Sequence, residues 1–447
     1  MRCVKSPPKP SVPSLSEHGP LIFPGLFRPS FLGCLVVHPS PAFTSTNARF
    51  RPKLTPAVAE NQPLQQFKNR MTSSRTFSDF AAQLRRFIAI HSGPSSAPPS
   101  GSENEFNRLA LSLFALQFVH NQPYHRLCEA RGVSPGDVEH WSRIPAVPAV
   151  AFKELELTSL PADGRTRFFH SSGTTTQQPG RHFHDAESLA LYEASLLPWF
   201  QTHLLPDFTS HSALCAPHFL SLTPPPELAP HSSLVHMFAT IHRELGAKDS
   251  TFMGRVDADS AWHVDVARCL AVMRDSIAAR PLVVMGTAFN FVQLADHLEE
   301  AGLRFPLPAS SRVLETGGYK GRSRSLPKPD LHALITRSLD IPASHIVSEY
   351  GMSELSSQAY DLKIEAAPAS DRIFHFPPWA RAQIVSPENG LEVAEGETGL
   401  IRVFDLVNLR SVLAVQTEDL GVRRGDRFEL LGRAAQAEAR GCSLMSA

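Results

Sequence analysis

Residues 170–182 read HSSGTTTQQPGRH and residues 348–354 read SEYGMSE, and the fold turns on how these two stretches sit among the segments around them. In the first, hydroxyls at Ser171, Ser172, Thr174, Thr175 and Thr176 crowd around Gly173. Side-chain O–H and backbone N–H donors can therefore converge on an anion without Cβ obstruction. This is the composition of a phosphate cradle, although an ordinary Ser/Thr/Gly loop reads the same way. In the second, the chain leaves a short apolar strand ending at Val347, turns at Gly351 and presents Ser353 and Glu354. Open α/β sheets bind ligands at this place, beyond the carboxyl ends of their strands. A glutamate there either holds Mg²⁺, which takes oxygen ligands and bridges phosphates, or favours the start of a helix.

Outward from these stretches, helical and strand patterns alternate. Glu105 to about Ala130 has helical spacing, as do Ala258–Ala279, Leu294–Gly302 and Leu331–Leu339; Leu282–Met285, Arg312–Leu314 and Ile346–Val347 read as short buried strands. Such alternation predicts a layered α/β fold with mainly parallel sheets. After Asp371 the runs RAQIVS, GLIRVFDL and RSVLAVQTEDL are short, alternating and separated by turn residues, which predicts an antiparallel β-rich subdomain. Two smaller pieces complete the pattern. Residues 315–322 (ETGGYKGR) place Gly317 and Gly318 after a strand, where a flat base can approach the backbone, and Asp419 ends an alternating run where a carboxylate can accept both ribose hydroxyls. Either piece alone is also an ordinary turn.

The ends of the chain read differently. Residues 1–70 are rich in proline and serine and hold only Glu17 and Glu60 as acids, so we expect a disordered leader; the balance is also that of an organellar transit peptide, but a sustained amphipathic helix is lacking and Met71 opens a capped helical segment as a native start does. Residues 71–104 read as an N-terminal helix and a flexible connector, 105–433 as the catalytic domain and 434–447 as a tail carrying Cys442. Lys plus Arg and Asp plus Glu balance at 43 each, which gives no bulk attraction to nucleic acid. The six cysteines lie far apart, without metal spacing, and fit a reducing cytoplasm; no apolar run is long enough to span a bilayer. His182 and His184 read as surface or phosphate-shell residues rather than metal ligands.

In this order, a Ser/Thr/Gly loop, a Gly pair, YGxxE and an aspartate followed by GR resemble the signature series of adenylate-forming enzymes. Within that superfamily the chain resembles the acyl-protein synthetases, long-chain-fatty-acid–protein ligases of LuxE type. AFKELEL, MGTAFNF, TGGYKGR, SEYGMSELSSQAYD and the closing GRAAQAEARGCSL carry the likeness from about Phe106 to the C-terminus. The resemblance implies the large-domain fold of that superfamily with only a truncated C-terminal tail, and activation of a fatty acid by ATP and Mg²⁺ to an acyl-AMP. It implies phosphate contacts from Ser171, Ser172, Gly173, Thr174 and Thr175, and nucleotide contacts from Gly317, Gly318, Tyr350, Gly351, Ser353 and Asp419. It further implies metal binding at Glu354, a catalytic role for Arg433 and acyl transfer through Cys442, with an acyl reductase or another acyl acceptor as partner. Arg181 stands where the wider superfamily carries a lysine, which makes a charge-for-charge role plausible there. Rival readings are a CoA ligase of phenylacetate type and a non-catalytic partner subunit that keeps the fold.

Overall fold

A computed structural model describes residues 76–93, 102–171, 179–207, 217–258, 261–277, 281–319, 324–361, 364 and 372–434. The chain enters through three helices, α1 (Phe77–His91), α2 (Ser102–His120) and α3 (Gln122–Ala130), then a short strand β1 (Val147–Pro148) and a single helical turn α4 (Ala151–Glu154). The expected helix over 105–130 is interrupted at Asn121. That side chain caps α3 by accepting from the Tyr124 N–H (3.3 Å) and donates to Ser411 O (3.0 Å), so a buried polar residue divides what periodicity reads as one helix.

The hairpin β2 (Arg167–His170) and β3 (Arg181–His184) flanks the Ser/Thr segment and runs into α5 (Ala186–Leu204), which Asp185 caps. A six-stranded sheet follows. Its members are β4 (His218–Ser221), β5 (Thr251–Phe252), β8 (Leu282–Thr287), β9 (Arg312–Thr316), β10 (Ile346–Tyr350) and β11 (Ala359–Tyr360), in the order β11-β10-β9-β8-β4-β5. All pairs in it are parallel except β10–β11. Helices α6 (Ser233–Leu245), α7 (Val266–Ile277), α8 (Ala288–Glu300) and α9 (Lys328–Leu339) connect its strands, and a hairpin of β6 (Gly254–Val256) with β7 (Trp262–Val264) precedes α7. The helix expected over 258–279 therefore starts later, because Trp262–Val264 pairs back onto Gly254–Val256.

Both faces of the sheet are buried, as parallel strands require. Val283, Met285, Leu314 and Val347 pack into one apolar cluster with α1, α2 and α5, while Leu282, Val284, Val313 and Ile346 pack into a second with α7, α8 and α9. The last region holds β12 (Ala380–Val385), β13 (Thr398–Asp405), β14 (Ala414–Arg424) and β15 (Arg427–Arg433), all antiparallel, with β1 added in parallel along β14. The expected β-rich subdomain is thus present, joined to the N-terminal segment by one parallel pairing. Among the described residues no helix is long and apolar enough to cross a membrane.

Candidate active site

Strand β10 runs three residues beyond the expected stop at Val347. Ser348, Glu349 and Tyr350 look like turn residues in sequence, but each is buried with a partner. The Ser348 hydroxyl donates to Glu315 Oε2 (3.0 Å), Thr316 Oγ1 donates to Glu349, and the Tyr350 hydroxyl donates to Asp419 Oδ2 (2.9 Å). Three phenylalanine rings, Phe374, Phe376 and Phe428, hold the Tyr350 ring at centroid distances of 6.1, 6.2 and 5.4 Å. Asp419 and Arg433 face each other across β14 and β15 as register partners, with Arg433 Nε 3.9 Å from Asp419 Oδ1. Tyr350, Asp419 and Arg433, far apart in sequence, therefore form one group.

The glycine pair leaves β9 beside this group. Gly317 adopts φ +67°, which favours glycine, and a Cβ added at Gly317 or Gly318 would meet no atom within 4 Å, so the backbone presents an open face. Gly351 is constrained differently, since a Cβ there would meet the Glu349 carboxyl.

Beyond Gly351 the chain turns and is fastened at both ends. Ser353 Oγ donates to His170 O (2.6 Å) and Ser353 O accepts from His182 Nδ1 (2.8 Å), which ties the turn to both flanks of the Ser/Thr segment. Glu354 O accepts from the Asn408 side chain (3.0 Å). The Glu354 carboxyl is buried, and burial pushes it up to about 7 against the opposing pull of Arg433, Lys153 and the Ser171 hydroxyl. Glu315 behaves oppositely. Burial would raise it, but Lys328 (3.2 Å) and His332 (3.6 Å) outweigh that and hold it down at about 2. On the neighbouring strand, burial lifts Glu349 to about 7.

The structure thus brings together Ser171, Gly317, Gly318, Tyr350, Gly351, Ser353, Glu354, Asp419 and Arg433 at the carboxyl edge of β9 and β10. Ser172, Gly173, Thr174, Thr175 and Cys442 lie outside the described residues. His182 and His184 are not surface residues: both are buried, and burial holds His182 at about 4 and therefore neutral. Arg181 pairs with Glu156 (2.9 Å). Sequence reasoning missed Lys153, whose charge acts on Glu354, although AFKELEL had marked its segment as informative.

A family model described as Acyl-protein synthetase, LuxE matches residues 233–447, the half that contains the glycine pair, YGMSE, Asp419 and Arg433. Over residues 233–447 the chain is similar to the LuxE acyl-protein synthetases. A long-chain-fatty-acid–luciferin-component ligase of Aliivibrio fischeri is 20% identical over 370 residues, covering 76% of this chain and 87% of that protein. The Vibrio harveyi protein of the same name is 20% identical over 348 residues, covering 76% and 86%. Among solved structures, an open conformation of 2-hydroxyisobutyryl-CoA ligase in complex with 2-HIB-AMP and CoA aligns with TM-score 0.53 at 14% identity, covering 76% of this chain and 80% of that one. The same ligase in its thioesterification state aligns with TM-score 0.54 at 13% identity, covering 76% and 73%. The chain has the fold of adenylate-forming ligases.

Proposed function

We propose that the chain converts a carboxylic acid and MgATP into acyl-AMP and pyrophosphate and passes the acyl group to a protein thiol. The observation that carries this reading is the meeting of Tyr350, Asp419 and Arg433 with the open glycine pair and the buried Glu354 beside Ser171. Adenine lies along Gly317, Gly318 and Tyr350, Asp419 accepts the ribose hydroxyls, and Ser171–Thr175 donate to the phosphates. A carboxylate is a poor electrophile. One of its oxygens attacks the α-phosphorus, the bond to the bridging oxygen breaks, and pyrophosphate leaves with the electron pair; the mixed anhydride then reacts with a thiol.

The donor set fits Mg²⁺. On this reading Glu354 is the carboxylate that would hold the ion, with phosphates and water as its other ligands. Burial disfavours that carboxylate's charge unless a cation sits against it. Bound there, Mg²⁺ supplies neutralisation of phosphate charge.

The relatives are named for long-chain fatty acids, which supports a fatty acid substrate here. Cys442 is the acyl-accepting thiol of this reading, and an acyl reductase or another acceptor protein takes the group onward. Among the described cysteines, burial pushes Cys128 up to about 11 and Cys269 up to about 12, which makes both poor nucleophiles. ATP–pyrophosphate exchange measured over acids of graded chain length should peak with long-chain acids. Labelled acid with MgATP should leave a protein-bound label released by neutral hydroxylamine. Cys442→Ser should abolish the label and leave exchange intact. Silence of the whole acid panel would overturn adenylation, and formation of acyl-CoA in place of labelled protein would favour a CoA ligase.

A further inference from the structure

We propose that a cavity between the β-rich region and the segment following α3 is a second ligand site, which takes a small phosphate monoester with a hydroxyl-bearing body, such as a sugar phosphate. The cavity has a volume of about 460 Å³, and three arginines line it, Arg131, Arg143 and Arg402. Tyr350, Glu354, Asp419 and Arg433 do not line it, so it is separate from the site described above.

Its base is a row of side chains across neighbouring strands. Gln383 of β12 is the register partner of Arg402 of β13, Arg402 that of Gln416 of β14, and Gln416 that of Pro148 of β1. Arg402 Nε donates to Gln416 Oε1 (2.9 Å), and its Nη2 lies 3.7 Å from the place a Cβ on Gly390 would take. The half-buried guanidinium is held by its inner nitrogen, and its two Nη groups remain as donors. Arg131 caps the C-terminus of α3, and its Nη1 donates to Ala146 O (2.9 Å), which lays it along the 142–146 segment.

Charge in this cavity is unbalanced. Among the described residues Arg131, Arg143 and Arg402 have no carboxylate partner, and the acid in the lining, Glu392, pairs with Arg423 (3.6 Å). Burial, and after it the charge of Arg131, pushes Arg402 below the ordinary guanidinium value. An anion bound between the two guanidiniums relieves that repulsion and receives charge-assisted hydrogen bonds from both. A phosphate monoester brings about two negative charges and three acceptor oxygens near neutral pH; a carboxylate brings one charge and leaves a guanidinium unmatched. Gln383 Oε1 is buried with no hydrogen-bond partner among the described residues, and a ligand hydroxyl supplies the donor it lacks. Val133, Ile144, Pro145 and Leu391 offer apolar wall to the carbon face of the same body.

Calorimetry on the full chain, with glucose 6-phosphate as the probe, tests the site. Glucose 6-phosphate should bind, while glucose and glucuronate, which share its body and lack the phosphate, should bind about tenfold more weakly or worse. Arg402→Met should weaken the probe by about tenfold or more. Arg131→Gln combined with Arg143→Gln should do the same; both side chains are exposed, so this variant decides the matter if Arg402→Met does not fold. Asp419→Ala should leave probe binding unchanged. Phosphatidylcholine vesicles containing phosphatidylinositol 4-phosphate carry the same group on a lipid. Co-sedimentation with them that is lost in the arginine variants would assign the site to a lipid headgroup, and binding of the free ester alone would assign it to a soluble one. Failure of both forms to bind at about 10 mM ester, or binding that survives both sets of arginine changes, would overturn the proposal. A hexaglutamate peptide that binds more tightly than the probe and is lost in the same variants would also overturn it, in favour of an acidic protein segment.

Discussion

Glu354 is a buried carboxyl whose ordinary charge is opposed by its surroundings, and its chemistry follows from that conflict. Desolvation lifts it to about 7, so on the proposed reading a proton and Mg²⁺ compete for the same oxygens near neutral pH. Glu354→Ala should reduce ATP–pyrophosphate exchange by about a hundredfold and raise the Mg²⁺ concentration needed for half-maximal rate. It should not lower the unfolding temperature, because removing a poorly solvated charge relieves the native state. Exchange at the wild-type rate, or a large fall in stability with unchanged Mg²⁺ dependence, would remove the glutamate from the metal. The motif made this residue legible in the sequence. The packing of Phe152 against Gly180 and Ser171 was not legible in the same way, because no spacing within one segment encodes it.

The same division appears among the elements. The alternation of helix and strand, the Gly pair after β9 and the antiparallel runs after Asp371 were readable because each follows from local periodicity and turn chemistry. The extension of β10 through Ser348, Glu349 and Tyr350 was not readable. Those polar residues are stable in a strand only because β9 and β14 bring Glu315, Thr316 and Asp419 against them. The pairing has a cost that depends on pH. Glu349 sits in register with Thr316, and burial lifts its carboxyl to about 7. A carboxyl raised in the folded state contributes stability that is complete below its unfolded value near 4.5 and is lost as pH rises through about 7. Glu315 has the opposite sign, since Lys328 and His332 hold it at about 2; its contribution is present above its unfolded value and is lost as pH falls toward 2. Wild-type stability should therefore be greatest near pH 5 on the account of these strands. Glu349→Gln should make the decline between pH 5 and pH 8 shallower by about 3 kcal/mol in urea unfolding, to which Glu354 adds its own share. An unchanged slope would show that Glu349 is ionised in the fold.

At the scale of the whole molecule, the question is how far toward the N-terminus the enzyme extends. Thr76 caps α1 by accepting from the Asp79 N–H (3.1 Å), and Phe77, Phe80, Leu84, Phe87 and Ile88 of that helix are buried in the same apolar cluster as β10 and the β-rich region. Helix α1 also reaches the edge of the site's scaffold. The Phe77 ring lies 4.5 Å beneath the guanidinium of Arg410, which pairs with Asp185 (2.8 Å) and Glu187 (3.2 Å) at the start of α5. Burying a large apolar side chain is worth about 1.5–3 kcal/mol, so the five residues of α1 together contribute roughly 8–15 kcal/mol before ordering entropy is subtracted. That is comparable with the entire net stability of a typical domain, about 5–15 kcal/mol. A chain starting at Met71 keeps the cap and the helix, and should match the full chain in unfolding temperature and in pyrophosphate exchange. A chain starting at Ser102 leaves an apolar trough over α2 and α5, and should be recovered aggregated or unfold well below the full chain. If the Met71 start loses exchange while α1 remains folded, residues before it take part in the reaction; if the Ser102 start is as stable as the full chain, α1 contributes no net stability.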